Sequence, residues 1–518
     1  MPPMAGLNDL NEDVLLYIIS FSSQWEKKPS TRTLSRTSKH LRNIFSPHVW
    51  LDCEWPFYRH GQLKPLPGHV LPYIKHLKVI WPLSYRSTSL LPAGEDSQLW
   101  PIIGQCQNMT ALTMLGMDMQ YCAPLGSACA MIPSLTSLSI QPSSAWQTEM
   151  GQLLPPTIGI VNLKEFRILL PHNSPSKWAQ SSRREAGCAA AEADVISALI
   201  MPSVTSLELL EFDGEHLPYL HLHESSPFPQ LRLIRLYNLE PSLSGGAVLL
   251  DYFPDAPLLK SLELGLHRLF KEPQTPLPSS IKQPSLLFPC LQQIKFYGSV
   301  ISESDMLFYS SSSGVTHLEF TTTPFPMTRL HLGRSASPAF GAPGIERTEY
   351  TIPDILSWLH KRVYPNLAVL KLTVSRMEDG PLIQRFADTL VKTCPRLEEL
   401  LIHTSFPHRA EAGVLLENFA AGLSRSASLK SLYLMVEWAE FMCEYGEEYW
   451  PAFLLECAST VAKRLPNLKE VVLLHVTFGC EYVWFSIDDG KIEDQKTGSL
   501  DLVQPFANTN TWRFGLSW

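Results

Sequence analysis

The chain contains no apolar run of eighteen residues, so no stretch of it is expected to cross a membrane. It does not open with a basic segment followed by an apolar core, which argues against secretion. Its ten cysteines are scattered with no C-x-x-C pair, and several, such as Cys394 and Cys457, stand in apolar settings. That is how buried thiols are used in a reducing interior, and the expectation is an intracellular protein, cytoplasmic or nuclear. Charged residues are scarce at 18%, the net charge is −8, and there is no dense basic cluster. Nucleic acid is therefore not an expected partner. Nothing matches G-x-x-x-x-G-K-[ST], G-x-S-x-G, H-E-x-x-H or G-x-G-x-x-G, so neither catalysis nor a cofactor is expected. His216, His221 and His223 lack the cysteine or acid that would complete a metal spacing and read as loop histidines. Asp488-Asp489-Gly490 lacks the twelve-residue calcium pattern and reads as a hairpin turn.

What the chain does have is apolar residues, 45% of 518, and they are organised. A phrase of the form apolar-x-x-apolar-x-apolar recurs with anchors at Ile74, Met109, Leu135, Leu163, Val204, Leu231, Leu259, Leu291, Val315, Leu367, Leu397, Leu429 and Leu468. Nine of these thirteen copies carry a proline two positions before the anchor, among them Pro72, Pro133, Pro202 and Pro466. Such a proline stops a preceding helix from running on, and the alternating end of each phrase predicts a one-sided strand. Between the phrases, 355–363, 386–394 and 453–465 read as helices. Residues 437–450 also read as an amphipathic helix, with Glu437, Glu440, Glu444 and Glu447 on one face and Trp438, Phe441, Tyr445 and Tyr449 on another. Ser-, Pro- and Gly-rich stretches at roughly 141–160, 171–190 and 321–348 read as loop inserts.

Strand, turn, helix and return at this period resembles the leucine-rich repeat, although the usual asparagine or cysteine is missing from most copies. The resemblance implies an α/β solenoid with parallel strands lining a concave face, over about residues 56–478. Side chains two and four positions after each anchor would face that surface. The fourth positions alternate in sign through Arg167, Glu208, Arg235, Glu263, Lys295, Glu319 and Lys371, which predicts a cross-strand charge ladder. Some of these, Arg167, Glu208, Arg235, Glu263, Lys295 and Lys371, together with Tyr237 and Tyr297, are the candidate contacts to a protein target. The last fourth positions, Leu401, Tyr433 and Val472, are apolar and need a cover. The tail, 479–518, is the candidate, with a strand over EYVWFSID and an aromatic end at Trp512, Phe514 and Trp518.

The first fifty residues follow a different logic. Asn11 is a plausible helix N-cap, and Leu10, Val14, Ile18 and Phe21 then share one helical face, while Leu15, Leu16 and Ile19 grease the other. A short helix with two apolar faces must lie between its own bundle and a partner. A further helical segment with Leu34, Leu41, Ile44 and Phe45 is predicted to start near Pro29 and stop at Pro47. The pattern L-x-x-L-x-x-D-V-L-x-x-I-x-x-F, then a second leucine stripe, then P-x-V-W, resembles an F-box. It differs at Asn8, where that family usually has proline, and at Thr37-Ser38, where a small cysteine is common. The resemblance implies a helical module within residues 1–55 that docks on a Skp-type adaptor of a cullin–RING ubiquitin ligase through Leu7, Leu10, Val14, Ile18, Phe21, Leu34 and Leu41. The expected protein is then a substrate adaptor with no chemistry of its own. The alternative is a leucine-rich scaffold whose N-terminal helices only cap the array.

Overall fold

A computed structural model describes residues 14, 15, 17, 24–56, 66–81, 96–117, 121–142, 160–168, 186–220, 228–239, 253, 256–266, 288–297, 314–321, 350–374, 377, 379–406, 409–438, 450–475 and 481–499. The fold is mixed α/β with a mostly parallel sheet, and the chain divides into two compact units. Unit 1 comprises Met1–Ile234 with Tyr252–Ala256, and unit 2 comprises Arg235–Asp251 with Pro257–Trp518.

In unit 1, helices α1 (Gln24–Thr37) and α2 (Lys39–Trp50) lead into β1 (Asp52–Pro56). Then follow β2 (His76–Ile80), α3 (Asp96–Gln105), β3 (Ala111–Met117), α4 (Cys122–Ala130), β4 (Ser137–Pro142), β5 (Glu165–Ile168), α5 (Ala186–Ile200) and β6 (Leu209–Asp213). Strands β1 to β6 pair in chain order, every pair parallel. Strand β7 (Leu233–Leu239) straddles the division.

Unit 2 continues with β8 (Ser261–Leu266), β9 (Gln293–Tyr297), β10 (His317–Thr321), α6 (Ile352–His360), β11 (Val369–Thr373), α7 (Gly380–Thr393), β12 (Glu399–Phe406), α8 (Arg409–Leu423), β13 (Ser431–Trp438), α9 (Trp450–Arg464) and β14 (Glu470–His475). These strands again pair in order and in parallel. The pattern changes only at the end, where β15 (Glu481–Asp488) and β16 (Lys491–Ser499) add to β14 as an antiparallel hairpin. Asp489 and Gly490 turn it, both with positive φ, as a tight two-residue turn demands.

The phrase explains the core. In each copy of unit 2 the anchor and the third and fifth positions after it are buried, as in Leu291, Ile294 and Phe296 or Leu367, Leu370 and Leu372. Alternation along a strand sends these to one face and the second and fourth positions to the other. On the core side Phe296 and Phe320 stack at 5.6 Å, and Trp358 of α6 meets Phe320 edge-on at 5.4 Å. Helices α7 and α8 pack closely because Gly422 has no side chain. A Cβ there would lie 2.6 Å from both the Ala387 Cβ and the Gln384 carbonyl oxygen. The predicted helices at 355–363, 386–394 and 453–465 overlap α6, α7 and α9, overrunning their C-terminal ends by three, one and one residues.

Four expectations need correction. The phrase in α5–β6 is anchored at Leu207, not Val204: Leu207, Leu210 and Phe212 are buried, and the backbone of Glu208 accepts from Arg232 and Leu233 as Lys260 accepts from Gln292 and Gln293. Pro202 sits in a one-turn 3-10 segment, Met201–Ser203, and the turn after it shifts the register by three residues. Second, a copy precedes the first one read. Trp50-x-x-Cys53-x-Trp55 supplies β1, so the repeats begin inside the segment assigned to the helical module. Third, the helical boundary lies at Ser38, whose hydroxyl accepts from the Leu41 amide as an N-cap, and Pro47 sits within α2 rather than ending it. Fourth, Glu437 and Trp438 end strand β13, so no helix starts there; 439–449 lie outside the described residues.

Candidate functional site

At the N-terminus, Val14, Leu15 and Tyr17 are helical. Leu15 packs with Leu41, Ile44 and Phe45, and half-buried Leu34 lies against them. Val14 and Tyr17 point the other way, 44% and 65% exposed. The structure thus separates the residues named for docking. Val14 lies on an open face, Leu34 is partly covered, and Leu41 is inside the helical cluster, where it holds the module together rather than offering surface. Leu7, Leu10, Ile18 and Phe21 lie outside the described residues. No loop separates this cluster from the strands: α2 ends at Trp50, and the Leu51 carbonyl already accepts from the Lys75 and His76 amides of the next repeat.

On the strand face carrying second and fourth positions, unit 1 pairs Lys78 Nζ with Glu54 Oε1 at 3.3 Å. Arg167 donates to Glu165 at 3.0 Å, and its register partner on β6 is Glu211. Glu208 therefore leaves the ladder. It lies at the strand entrance, 3.2 Å from Lys164 Nζ and 3.8 Å from Arg232 Nε, and Glu211 takes its place on the face. Glu211 escaped notice because Val204-x-x-Leu207-x-Leu209 and Leu207-x-x-Leu210-x-Phe212 both fit the phrase, and the register of Pro202 favours the wrong one.

Unit 2 carries the main site. Arg235 Nε lies 2.5 Å from Glu263 Oε2, and Lys295 Nζ lies 3.0 Å from Glu263 Oε1. All three side chains are buried, so this is a desolvated Arg–Glu–Lys triad across adjacent strands. Burial by itself would raise the Glu263 carboxyl, but Arg235 and Lys295 together hold it below the ordinary carboxylate range. Next in register comes Glu319, opposite Lys295 on one side and Lys371 on the other. It is 5% exposed, and burial raises its carboxyl more than Lys371 and Lys295 lower it. Lys371 Nζ is 3.9 Å from Glu399 Oε1, and burial raises Glu399 too, with Lys371 offsetting only part. Burial, then Lys371 and Lys295, lower the His317 imidazole below its ordinary range, which disfavours its charged form. Tyr237 is half-buried beside Gly265, and only the backbone of Tyr297 is described. Glu399 and His317 occupy second positions. Reading those alongside the fourth positions would have found them in the sequence.

These opposite shifts have opposite consequences for stability. Glu263, with its folded pKa depressed, adds stability above the unfolded carboxylate pKa of about 4.3 and loses it as pH falls through the folded value. Glu319, with its folded pKa raised, costs stability that grows as pH rises above the unfolded value of about 4.3 and is complete above the raised folded value, and the cost vanishes on acidification. Glu319→Gln is therefore expected to stabilise the protein at pH 7, with a gain that shrinks towards about pH 4. Urea melts at several pH values check this, and a pH-independent effect would contradict it.

The strands beyond are apolar on this face, as expected, and the hairpin supplies part of the cover. Trp484 of β15 stands opposite Val472 and donates its indole N–H to Glu470 Oε2 at 2.8 Å, while Tyr433 donates to Glu470 Oε1 at 2.7 Å. Leu401, Tyr433 and Val472 are all buried. The hairpin does this by prolonging the sheet rather than folding over it; Trp512, Phe514 and Trp518 lie outside the described residues. Elsewhere, His216 is not a loop histidine: it is fully buried, its Nε2 2.8 Å from Glu192 Oε2. His221 and His223 lie outside the described residues. No group of three metal-ligating side chains occurs among the described residues. Burial pushes the thiols of Cys106, Cys122 and Cys394 up to about 12, which makes them poor nucleophiles. No helix among the described residues is long and apolar enough to cross a membrane. No known protein family and no curated protein matches the chain.

Proposed function

We propose that this chain is a non-catalytic substrate adaptor of a cullin–RING ubiquitin ligase. Its N-terminal F-box-like helices dock on a Skp-type adaptor, and its leucine-rich solenoid presents a target protein. The mechanism is proximity: a target lysine held near a loaded ubiquitin carrier experiences a raised effective concentration with no reacting group from this chain. The observation that carries the reading is the two-sided first helix. Leu15 is spent on the chain's own cluster, while Val14 and Tyr17 leave an apolar and aromatic face open for a partner.

The test is co-purification of the full chain with a Skp-type adaptor, beside a Val14→Asp/Tyr17→Asp variant. Both positions are exposed, so the variant keeps the buried cluster. A stoichiometric complex is expected for the natural chain, weakened about tenfold or more in the variant. A second reading, a scaffold whose helices only cap the repeats, draws on the direct run of α2 into β1. A natural chain that stays soluble and alone would select it.

A further inference from the structure

We propose that the edge of unit 2 where helices α6 to α9 return to strands β11 to β14 binds an acidic segment of the target protein, an extended run of aspartate and glutamate side chains. This deepens the reading of the repeats as a target-presenting surface and rests on it. The connections 361–366, 392–398, 424–430 and 463–469 hold nine lysines and arginines, all exposed, against one acid, Glu398. They form no dense cluster in the sequence because a whole repeat separates each group from the next. The fold collects them. Strands β11 to β14 are parallel and in order, so all four connections lie at one edge. Neighbouring connections touch: the Lys469 amide donates to the Lys430 carbonyl and the Lys430 amide to the Glu398 carbonyl, each at 2.8 Å, while Arg396 Nη1 donates to Asn366 Oδ1 at 3.1 Å.

The acids within reach do not balance this edge. Glu398 is engaged by Lys430 at 2.9 Å, and Glu417 of α8 by Arg464 at 2.6 Å. Lys392, Arg425, Lys463 and Lys469 make no ion pair among the described residues. The turn of the end hairpin also reaches the edge, since a Cβ on Gly490 would lie 3.2 Å from the Ala462 carbonyl oxygen. Counting Asp488, Asp489 and Lys491 of that turn together with Glu417, ten cations still face four acids, in a chain whose net charge is −8. The helix dipole accounts for Lys392, Lys463 and Arg464, which stand in last helical turns. It does not account for Arg396, Lys430 and Lys469 at the strand entrances, where the dipole has faded.

The rest of the edge selects polypeptide among anions. Of the large apolar side chains in these connections only Val363 is exposed, and Tyr364 is buried. Bases therefore find no ring to stack on, and a bilayer receives no apolar anchor. The edge is a strip of roughly 14 Å along the strand ends and roughly 30 Å along the helix ends, from strand and helix spacings of about 4.8 and 10 Å. An extended peptide of about four to nine residues spans it.

The probe is a dye-labelled deca-glutamate peptide, titrated with the full chain and followed by fluorescence anisotropy at low and at physiological salt. Deca-lysine, an oligothymidylate of the same length and phosphatidylserine-containing vesicles are the competing ligands. Binding of deca-glutamate that weakens with salt is expected, with an affinity lowered about tenfold or more in Lys392→Gln/Arg425→Gln/Lys463→Gln/Lys469→Gln. All four positions are exposed, so the variant keeps the core. A control with the same change of charge in unit 1, Arg32→Gln/Arg36→Gln/Lys39→Gln/Lys164→Gln, is expected to bind like the natural chain. Zero-length carbodiimide cross-linking of the peptide to the natural chain should join it to Lys392, Lys463 or Lys469, which locates the site without any variant. No binding of deca-glutamate, equal weakening in the control, or cross-links confined to unit 1 would each overturn the assignment. Tighter binding of the oligothymidylate or of the vesicles would overturn it in favour of nucleic acid or a membrane. None of these measurements contains a Skp-type adaptor, so either proposal can fail while the other stands.

Discussion

Glu263→Ala is expected to lower the free energy of unfolding by about 3–5 kcal/mol, the largest loss among the charged positions. The substitution removes the acceptor of two buried cations at once, leaving Arg235 and Lys295 at 6% and 2% exposure with no counter-charge at that position. Coulomb attraction across the triad barely repays the cost of taking three ions out of water, so the intact triad contributes little net stability. Its removal in one piece should show this. A triple variant, Arg235→Met/Glu263→Leu/Lys295→Met, is expected to unfold near the natural chain or above it. Urea denaturation of the three proteins, followed by circular dichroism, makes the comparison. A single variant that unfolds like the natural chain would mean that the triad is solvated in solution.

Trp358→Ala is expected to cost a similar amount, about 3–5 kcal/mol, by a different route. The indole is fully buried, edge-on to Phe320 of β10 at 5.4 Å and 5.1 Å from the Tyr364 ring. Phe320 in turn stacks on Phe296 of β9. Deleting the indole leaves a void between α6 and the strands that rigid neighbours refill only in part. Hydrogen exchange should rise first in 314–321 and 350–374, the segments that meet there. Trp358→Phe should recover part of the loss, since it keeps an aromatic ring against Phe320. Even exchange across unit 2 would instead indicate one cooperative block.

The strands were legible in the chain because their signal is local. Three apolar positions per phrase at fixed offsets mark them, and burial at Leu259, Leu262 and Leu264 or Leu468, Val471 and Leu473 follows the offsets without exception. The charge ladder was legible for the same reason, since once the register is known alternation sends fourth positions to one face. The error at Val204 shows the limit. Two overlapping phrases three residues apart satisfy the same pattern, and only hydrogen bonding to the neighbouring repeats chooses between Glu208 and Glu211. The missed first strand has another cause. Trp50, Cys53 and Trp55 fit the phrase, but Trp50 is also the last residue of helix α2, so the phrase overlaps the helical pattern. What no pattern in the sequence discloses is how deeply the charges are buried. Lys78 and Lys295 both hold the fourth position of their phrases, yet the first is 26% exposed and the second 2%.

The antiparallel hairpin at the end of unit 2 bears on self-association. Parallel strands added one repeat at a time have no intrinsic last member, and the outermost strand always presents unpaired amides and carbonyls to whatever comes next. Were β14 the final strand, its run Val471-Val472-Leu473-Leu474 would be a flat, apolar template for a second chain. The reversal at Asp489-Gly490 places β16 outermost instead, with Lys491, Glu493, Asp494 and Lys496 along its length. Mixed charge on an outermost strand disfavours edge-to-edge growth. The hairpin at 481–499 thus does more than extend the core: among the described residues it replaces an apolar edge with a charged one, which disfavours pairing with a second chain.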